Sequence, residues 1–128
     1  MTIDVNFFEN LSDDLKRTVS DASKAIMDVY ERNTFDTEIK SDGSPVTEAD
    51  ENANKIIIQS LSLVTPDISI VSEETFDKSA EIPDDPYWLV DPLDGTKEFI
   101  NKSKDFTVNI ALIEEGKPLY GIICAPIT

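Results

Sequence analysis

The sequence predicts an α/β chain of the α+β kind, a layered sandwich of two helices on a mostly antiparallel sheet, and three observations carry that expectation. Apolar residues at three- and four-residue spacing mark two amphipathic helices. Two segments that are apolar on both faces, residues 106–113 and 119–125, flank Glu114-Glu115-Gly116-Lys117-Pro118 and read as a hairpin with a longer Gly-containing loop. Strands apolar on both faces imply a sheet covered on each side.

In chain order, Ser12 is a candidate N-cap, with Asp13 and Asp14 placed to favour the dipole of the first turn. The helix it opens runs to about Arg32, burying a stripe of Leu15, Val19, Ala22, Ile26 and Val29. Residues 33–45 form a turn or hairpin in which Ile39-Lys40 is a short strand and Asp42-Gly43-Ser44-Pro45 is loop chemistry. A second helix starts near Thr47, shows Ala53, Ile56, Ile57, Ser60 and Leu61 on its apolar face, and ends at Pro66. Residues 68–72 are a short strand, 75–86 an acidic loop, and 87–90 the strand that leads into the most informative run of the chain.

That run is Trp88-Leu89-Val90-Asp91-Pro92-Leu93-Asp94-Gly95-Thr96, and the acidic pair Glu73-Glu74 precedes it by fewer than twenty residues. An apolar strand ends in two carboxylates three positions apart, with Pro92 fixing a turn and Gly95 relieving crowding after it. Asp-Pro and Asp-Gly are also ordinary turn dipeptides, so a plain turn competes with a cation site here. Mg²⁺ takes hard oxygen ligands, a few carboxylates with water and phosphate, which such a cluster supplies. Thr96 opens a segment, 97–102, whose first amides can face a bound phosphate.

The chain of 128 residues is of one-domain size, and 26 acidic against 11 basic residues give a net charge of −15. Such a surface excludes binding of nucleic acid through clustered Lys and Arg. A small phosphorylated ligand stays compatible if cations held by carboxylates neutralise it. The absence of His removes imidazole base chemistry, His-ligated zinc and Ser-His dyads from these residues. Cys124 has no partner for a disulfide within the chain and sits in an apolar run, as a core thiol or, less simply, a reactive one. No stretch reaches the roughly 20 apolar residues of a membrane span, and with no leader-like segment after Met1 a cytoplasmic location is expected.

Val46-Thr47-Glu48-Ala49-Asp50, Ser72-Glu73-Glu74 and Asp91-Pro92-Leu93-Asp94-Gly95-Thr96-Lys97-Glu98-Phe99, in this order and spacing, resemble the N-terminal half of the inositol-monophosphatase-like, Mg²⁺-dependent, lithium-sensitive phosphatases. Gly43-Ser44-Pro45-Val46-Thr47 and Phe106-Thr107-Val108-Asn109-Ile110-Ala111 are most similar to the bacterial 3′(2′),5′-bisphosphate nucleotidases within them. The resemblance implies the inositol monophosphatase sandwich and removal of the 3′-phosphate of adenosine 3′,5′-bisphosphate, a task of sulfur metabolism. It implies that Glu73, Asp91 and the Leu93 carbonyl hold a first Mg²⁺, that Asp91 bridges to a second held by Asp94, and that Mn²⁺ can substitute. Asp50 and Thr96 would align and deprotonate a metal-bound water, and Asp94, Gly95 and Thr96 would hold the phosphate.

For Asp50 a capping role competes, because Thr47-x-x-Asp50 has capping-box spacing. Glu74 reads as a solvated neighbour of the ligand, since adjacent strand residues face opposite ways. Lys40 is either a site cation or plain surface. Family members are about twice as long, so residues 1–128 are expected to be the N-terminal metal-binding half, without the C-terminal half that carries another metal-binding Asp in a Trp-Asp motif. On that reading the chain alone has little activity and either self-associates or pairs with a separate C-terminal half. The alternatives are an inositol or sugar monophosphate phosphatase and a non-catalytic fragment.

Overall fold

In the computed structural model, residues 5–32, 34, 37–40, 45–75, 83 and 86–127 are described. The anticipated loop at Asp42-Gly43-Ser44 and most of the acidic loop 75–86 lie outside the described residues.

Helix α1 (Val5–Tyr30) buries Leu11, Leu15, Val19, Ala22, Ile26 and Val29, a stripe at spacings of three and four. The helix begins before Ser12, which is an interior residue and not the N-cap. The apolar stripe continues upstream through Leu11, and the Phe8 ring stacks on Tyr120 at 5.6 Å, so packing extends the helix past the local capping signal. Strands β1 (Thr37–Ile39) and β2 (Pro45–Thr47) pair antiparallel, which makes the anticipated hairpin, with Lys40 just beyond the strand. Helix α2 (Glu48–Val64) packs against α1 through Ala53, Ile57 and Leu61, and ends one residue before Thr65-Pro66.

Strands β3 (Ser69–Ser72), β4 (Tyr87–Asp94), β5 (Thr107–Glu114) and β6 (Lys117–Cys124) form one sheet in that order. Only β3–β4 is parallel; the other two pairings are antiparallel. Between β4 and β5 runs α3 (Thr96–Ile100). The β5–β6 loop is the two residues Glu115 and Gly116, with φ of 53° and 75°, the mirror-image turn that matches strand twist. The longer loop expected from the sequence is therefore shortened, because Glu114 and Lys117 join the ladder.

The helices cover one face of the sheet. Trp88, Val90, Val108, Ile110 and Leu112 point into that interface and are fully buried. On the opposite face, shared by Asp91, Leu89 is 41% and Ile123 74% exposed. α1 and α2 pack on the same side, so the apolar residues of the other side face outward among the described residues, and the second cover that strands apolar on both faces call for is not supplied there.

One polar joint fixes β4 to the end of α2. Trp88 Nε1 donates to Thr65 Oγ1 at 2.9 Å, and that hydroxyl donates to the Leu61 carbonyl at 2.9 Å. All three residues are buried. Trp88→Phe should lower the unfolding free energy by about 1–3 kcal/mol through the lost bond and the space left behind. Urea denaturation followed by far-UV circular dichroism measures it, and an unchanged midpoint would show that the joint contributes nothing.

Candidate metal centre

The site begins at the first turn of α2. The Thr47 hydroxyl accepts from the backbone N–H of Ala49 (3.1 Å) and of Asp50 (3.4 Å), while Asp50 Oδ2 accepts from the Thr47 N–H (2.8 Å) and hydroxyl (2.7 Å). This is a complete capping box, and Asp50 is fully buried in it. The other oxygen, Oδ1, accepts from the Thr96 hydroxyl at 2.9 Å. Capping and site geometry are thus two uses of one carboxylate.

The loop of acids is set by an irregularity in β4. Asp91 pairs with Asn109 and Asp94 with Thr107, so Pro92 and Leu93 oppose the single Val108. Two residues against one is a β-bulge, which re-aims the side chains beside it. The turn expected at Pro92 is corrected to this bulge: pairing with β5 carries the strand on to Asp94, and Pro92, lacking an N–H, occupies the place where the ladder is broken. Gly95 follows with φ of 101°, and a Cβ there would lie 2.8 Å from the Asp105 carbonyl oxygen. Only glycine fits that approach. Thr96 then begins α3, which rests on the mutual ring contacts of Tyr30, Phe99 and Phe106, 5.4–5.6 Å between centroids.

Opposite these acids, β3 ends at Ser72 and Glu73 and Glu74 lie in the turn after it. Because they are not strand residues, they do not point to opposite faces; both line the same cavity. The solvated reading of Glu74 is corrected: its side chain is only 8% exposed and its Oε1 lies 3.2 Å from Lys40 Nζ. Burial raises its carboxyl above the usual range, while the Lys40 hydrogen bond and charge pull it down. Lys40 is accordingly a cation of the cavity wall.

Around a cavity of about 300 Å³ the structure brings together Glu73, Asp91, Leu93, Asp94, Gly95 and Thr96, with Lys40, Glu74, Lys97 and Glu98. Asp50 lies behind Thr96 and reaches the cavity through that hydroxyl. The Asp91 carboxyl is pushed up to about 6, first by burial and then by the charges of Asp94 and Glu73. Concentrated negative charge of this kind fits an oxygen-ligated divalent cation, and the donor set of carboxylates and a carbonyl is the type Mg²⁺ takes. Among the described residues no three ligating side chains are already gathered into a finished ion cage. The carboxylates stand around the cavity, as mutual repulsion without a counter-charge requires.

This fold and this sequence have counterparts among known proteins. A sequence profile of the Inositol monophosphatase family matches residues 9–128, and the chain belongs to that family. It is 47% identical over 118 residues to the 3′(2′),5′-bisphosphate nucleotidase CysQ of Escherichia coli O6:H1, covering 90% of this chain and 48% of that protein. Among solved structures, CysQ from Bacteroides thetaiotaomicron is 38% identical with a TM-score of 0.65, over 85% of this chain and 40% of that one. The extragenic suppressor protein suhB from Bartonella henselae is 30% identical with a TM-score of 0.79, over 91% and 45%. The chain therefore spans about half the length of the curated relatives it matches.

Sequence reasoning gave no role to Lys97, Glu98, Asn54 or Ser72, although the first two line the cavity and the last two are buried polar residues beside it. The available signal was position: Lys97-Glu98 follow the Gly95-Thr96 pair directly, and Asn54 is one helical turn beyond Asp50. Asp50→Asn replaces an acceptor by an amide that must face donors, so it should cost about 1–3 kcal/mol of stability. Chemical denaturation of the two proteins checks this, and equal stability would contradict the hydrogen-bond pattern at Asp50.

Proposed function

We propose that this chain is the metal-binding half of a Mg²⁺-dependent phosphomonoesterase of the 3′(2′),5′-bisphosphate nucleotidase type, directed at the 3′-phosphate of adenosine 3′,5′-bisphosphate. The observation that carries the reading is one cavity bordered by Glu73, Asp91, Leu93, Asp94 and Thr96, with the Thr96 hydroxyl bonded to buried Asp50. The substrate class follows the bisphosphate nucleotidases that this chain resembles at 47% identity.

Glu73, Asp91 and the Leu93 carbonyl would hold a first Mg²⁺, and Asp91 with Asp94 a second; Mn²⁺ accepts the same oxygen ligands. When bound, the ions supply neutralisation of phosphate charge and acidification of water. The residues do the rest. Thr96 directs its one hydroxyl proton to Asp50 at 2.9 Å, with the Leu93 carbonyl a longer second acceptor at 3.4 Å, so its lone pairs are left to accept from a water in the cavity. That water would be aligned for in-line attack on phosphorus as the bond to the ribose 3′-oxygen breaks, its proton drawn toward the Thr96–Asp50 pair and the released oxygen taking a proton from solvent. The capping box keeps Asp50 from rotating away. Gly95 and Thr96 border the space for the phosphate oxygens, with Asp94 beside them.

The same reading puts the protein in the cytoplasm, where such nucleotides are turned over, and no helix among the described residues is long and apolar enough to cross a membrane. The outward-facing Leu89 and Ile123 support self-association or pairing with a C-terminal half.

Titration calorimetry of the chain should show one Mg²⁺ or Mn²⁺ site stronger than any other, lost in Asp91→Asn. Removing one of several repelling charges should leave the metal-free Asp91→Asn protein melting at least as high as the parent, which separates lost ligation from lost folding. Binding of Mg²⁺ by Asp91→Asn as tight as by the parent would sink the assignment. In protein extended to the length of its relatives, phosphate release from adenosine 3′,5′-bisphosphate should exceed that from inositol 1-phosphate. The reverse order would move the activity to the inositol phosphates.

A further inference from the structure

Asn54 and Ser72 are 5% and 1% exposed, and each finds its polar partner in the other. The Ser72 hydroxyl donates to Asn54 Oδ1 at 2.5 Å. A hydroxyl has one proton, so with that proton committed its lone pairs are left to accept, and the backbone N–H of Glu74 donates to it at 3.3 Å. Asn54 therefore sets the direction of Ser72, and Ser72 holds the peptide between Glu73 and Glu74.

The neighbouring amides are held as well. The Glu73 N–H donates to the Val90 carbonyl at 3.0 Å and the Thr75 N–H to the Ser72 carbonyl at 3.2 Å. Three successive amides of the turn are thus fixed, and only the middle one depends on a side chain. Burying two polar side chains costs stability unless they are bonded, and apolar residues would fill this joint without that cost. What the pair adds is a defined peptide plane next to the carboxylate that faces Asp91.

We propose that Asn54 and Ser72 are positioning residues for Glu73: through the Glu74 amide they fix the turn that aims the Glu73 carboxylate into the cavity shared with Asp91 and Asp94. The inference rests on the reading of that cavity as a Mg²⁺ site. Glu74, tied by its own side chain to Lys40, secures the far end of the same turn. Groups that orient a ligand without touching the ion commonly change metal affinity by about 10–100-fold when removed.

The test is calorimetric Mg²⁺ binding, with metal-free melting and amide hydrogen exchange, on five forms of the chain. These are the parent, Asp91→Asn, Ser72→Ala, Ser72→Thr, and the double variant Asn54→Leu with Ser72→Ala. The double variant removes both polar side chains together, so Asn54 leaves no buried amide without a partner and only the Glu74 N–H loses its acceptor, with metal-free melting reporting that folding is retained. Ser72→Ala and the double variant should bind Mg²⁺ about 10–100-fold more weakly than the parent. Ser72→Thr, which keeps the hydroxyl, should restore most of that affinity. Exchange should quicken at the Glu74 amide in Ser72→Ala and stay unchanged at Glu73. Parent-like affinity in the double variant, with binding lost in Asp91→Asn, would overturn the positioning role and leave the metal site standing. Parent-like affinity in Asp91→Asn would overturn the metal site and the positioning role together.

Discussion

The buried carboxylate of Asp50 is the interaction on which the rest of the site depends. It takes three hydrogen bonds, two from Thr47 and one from Thr96, and so joins the start of α2 to the start of α3. A carboxylate without water is tolerated only when donors satisfy it, which makes each donor a constraint on the others. Thr47 ends β2 and caps α2; Thr96 follows the β4 bulge and the left-handed Gly95. Two segments distant in sequence, the β2–α2 junction and the β4–α3 corner, therefore meet at one side chain. Moving either of them would leave a buried charge short of partners, a larger penalty than an ordinary cap carries.

Around that anchor the cavity works against the fold. Glu73, Asp91 and Asp94 repel one another across a space that Lys40 and Lys97 only partly neutralise, and Asp91 titrates near 6 because it is both half-buried and surrounded by like charge. In a chain of net charge −15 no general surplus of cations offsets this. Such strain is common where a protein concentrates charge for a ligand, and binding the ligand relieves it. The bonded pairs nearby, Lys40 with Glu74 and Asn109 with Asp94, limit how far the walls spread in its absence.

The parts of the fold legible in the sequence were those governed by period and by residues of fixed chemistry. The apolar stripes gave both helices, the Thr47-Asp50 spacing gave the second cap, and short apolar runs bounded by turn residues placed the strands along the chain and the last hairpin, though not the order of the sheet. Two of the misreadings, at Ser12 and at Asp91-Pro92, share one cause, which is that distant partners override local preference. Ser12 is a good cap, but Phe8 and Leu11 have surfaces to bury, so the helix passes through it. Asp91-Pro92 is a good turn, but β5 supplies a ladder, so the chain bulges and continues. Glu74 looked solvated because strand alternation does not extend to it, two residues beyond the end of β3. The sheet looked two-sided because apolar composition states that a face avoids water without stating what covers it. Within the site, the acids, Gly95 and Thr96 were legible as a motif. Asn54 and Ser72 were not, since nothing in either residue type announces a bond across eighteen positions.

That last bond shows how one helix governs both walls of the cavity. Asp50 and Asn54 lie four residues apart on α2, one turn and about 6 Å along its axis, on the same face. The first holds Thr96 and through it the β4–α3 corner; the second holds Ser72 and through it the turn of Glu73 and Glu74. A helix is stiff over one turn, so the spacing of the two anchors is fixed by backbone hydrogen bonds and not by the sheet. The Glu73 N–H on the Val90 carbonyl ties the same wall to β4, so helix and ladder together set how far the Glu73 side of the cavity stands from the Thr96 side. Since α2 is itself clamped against α1 by Ala53, Ile57 and Leu61, the hydrophobic core reaches the cavity through these two polar contacts. Packing in the core is in this way converted into the placement of carboxylates at the surface, which is what a site selective for a small, geometrically strict cation requires.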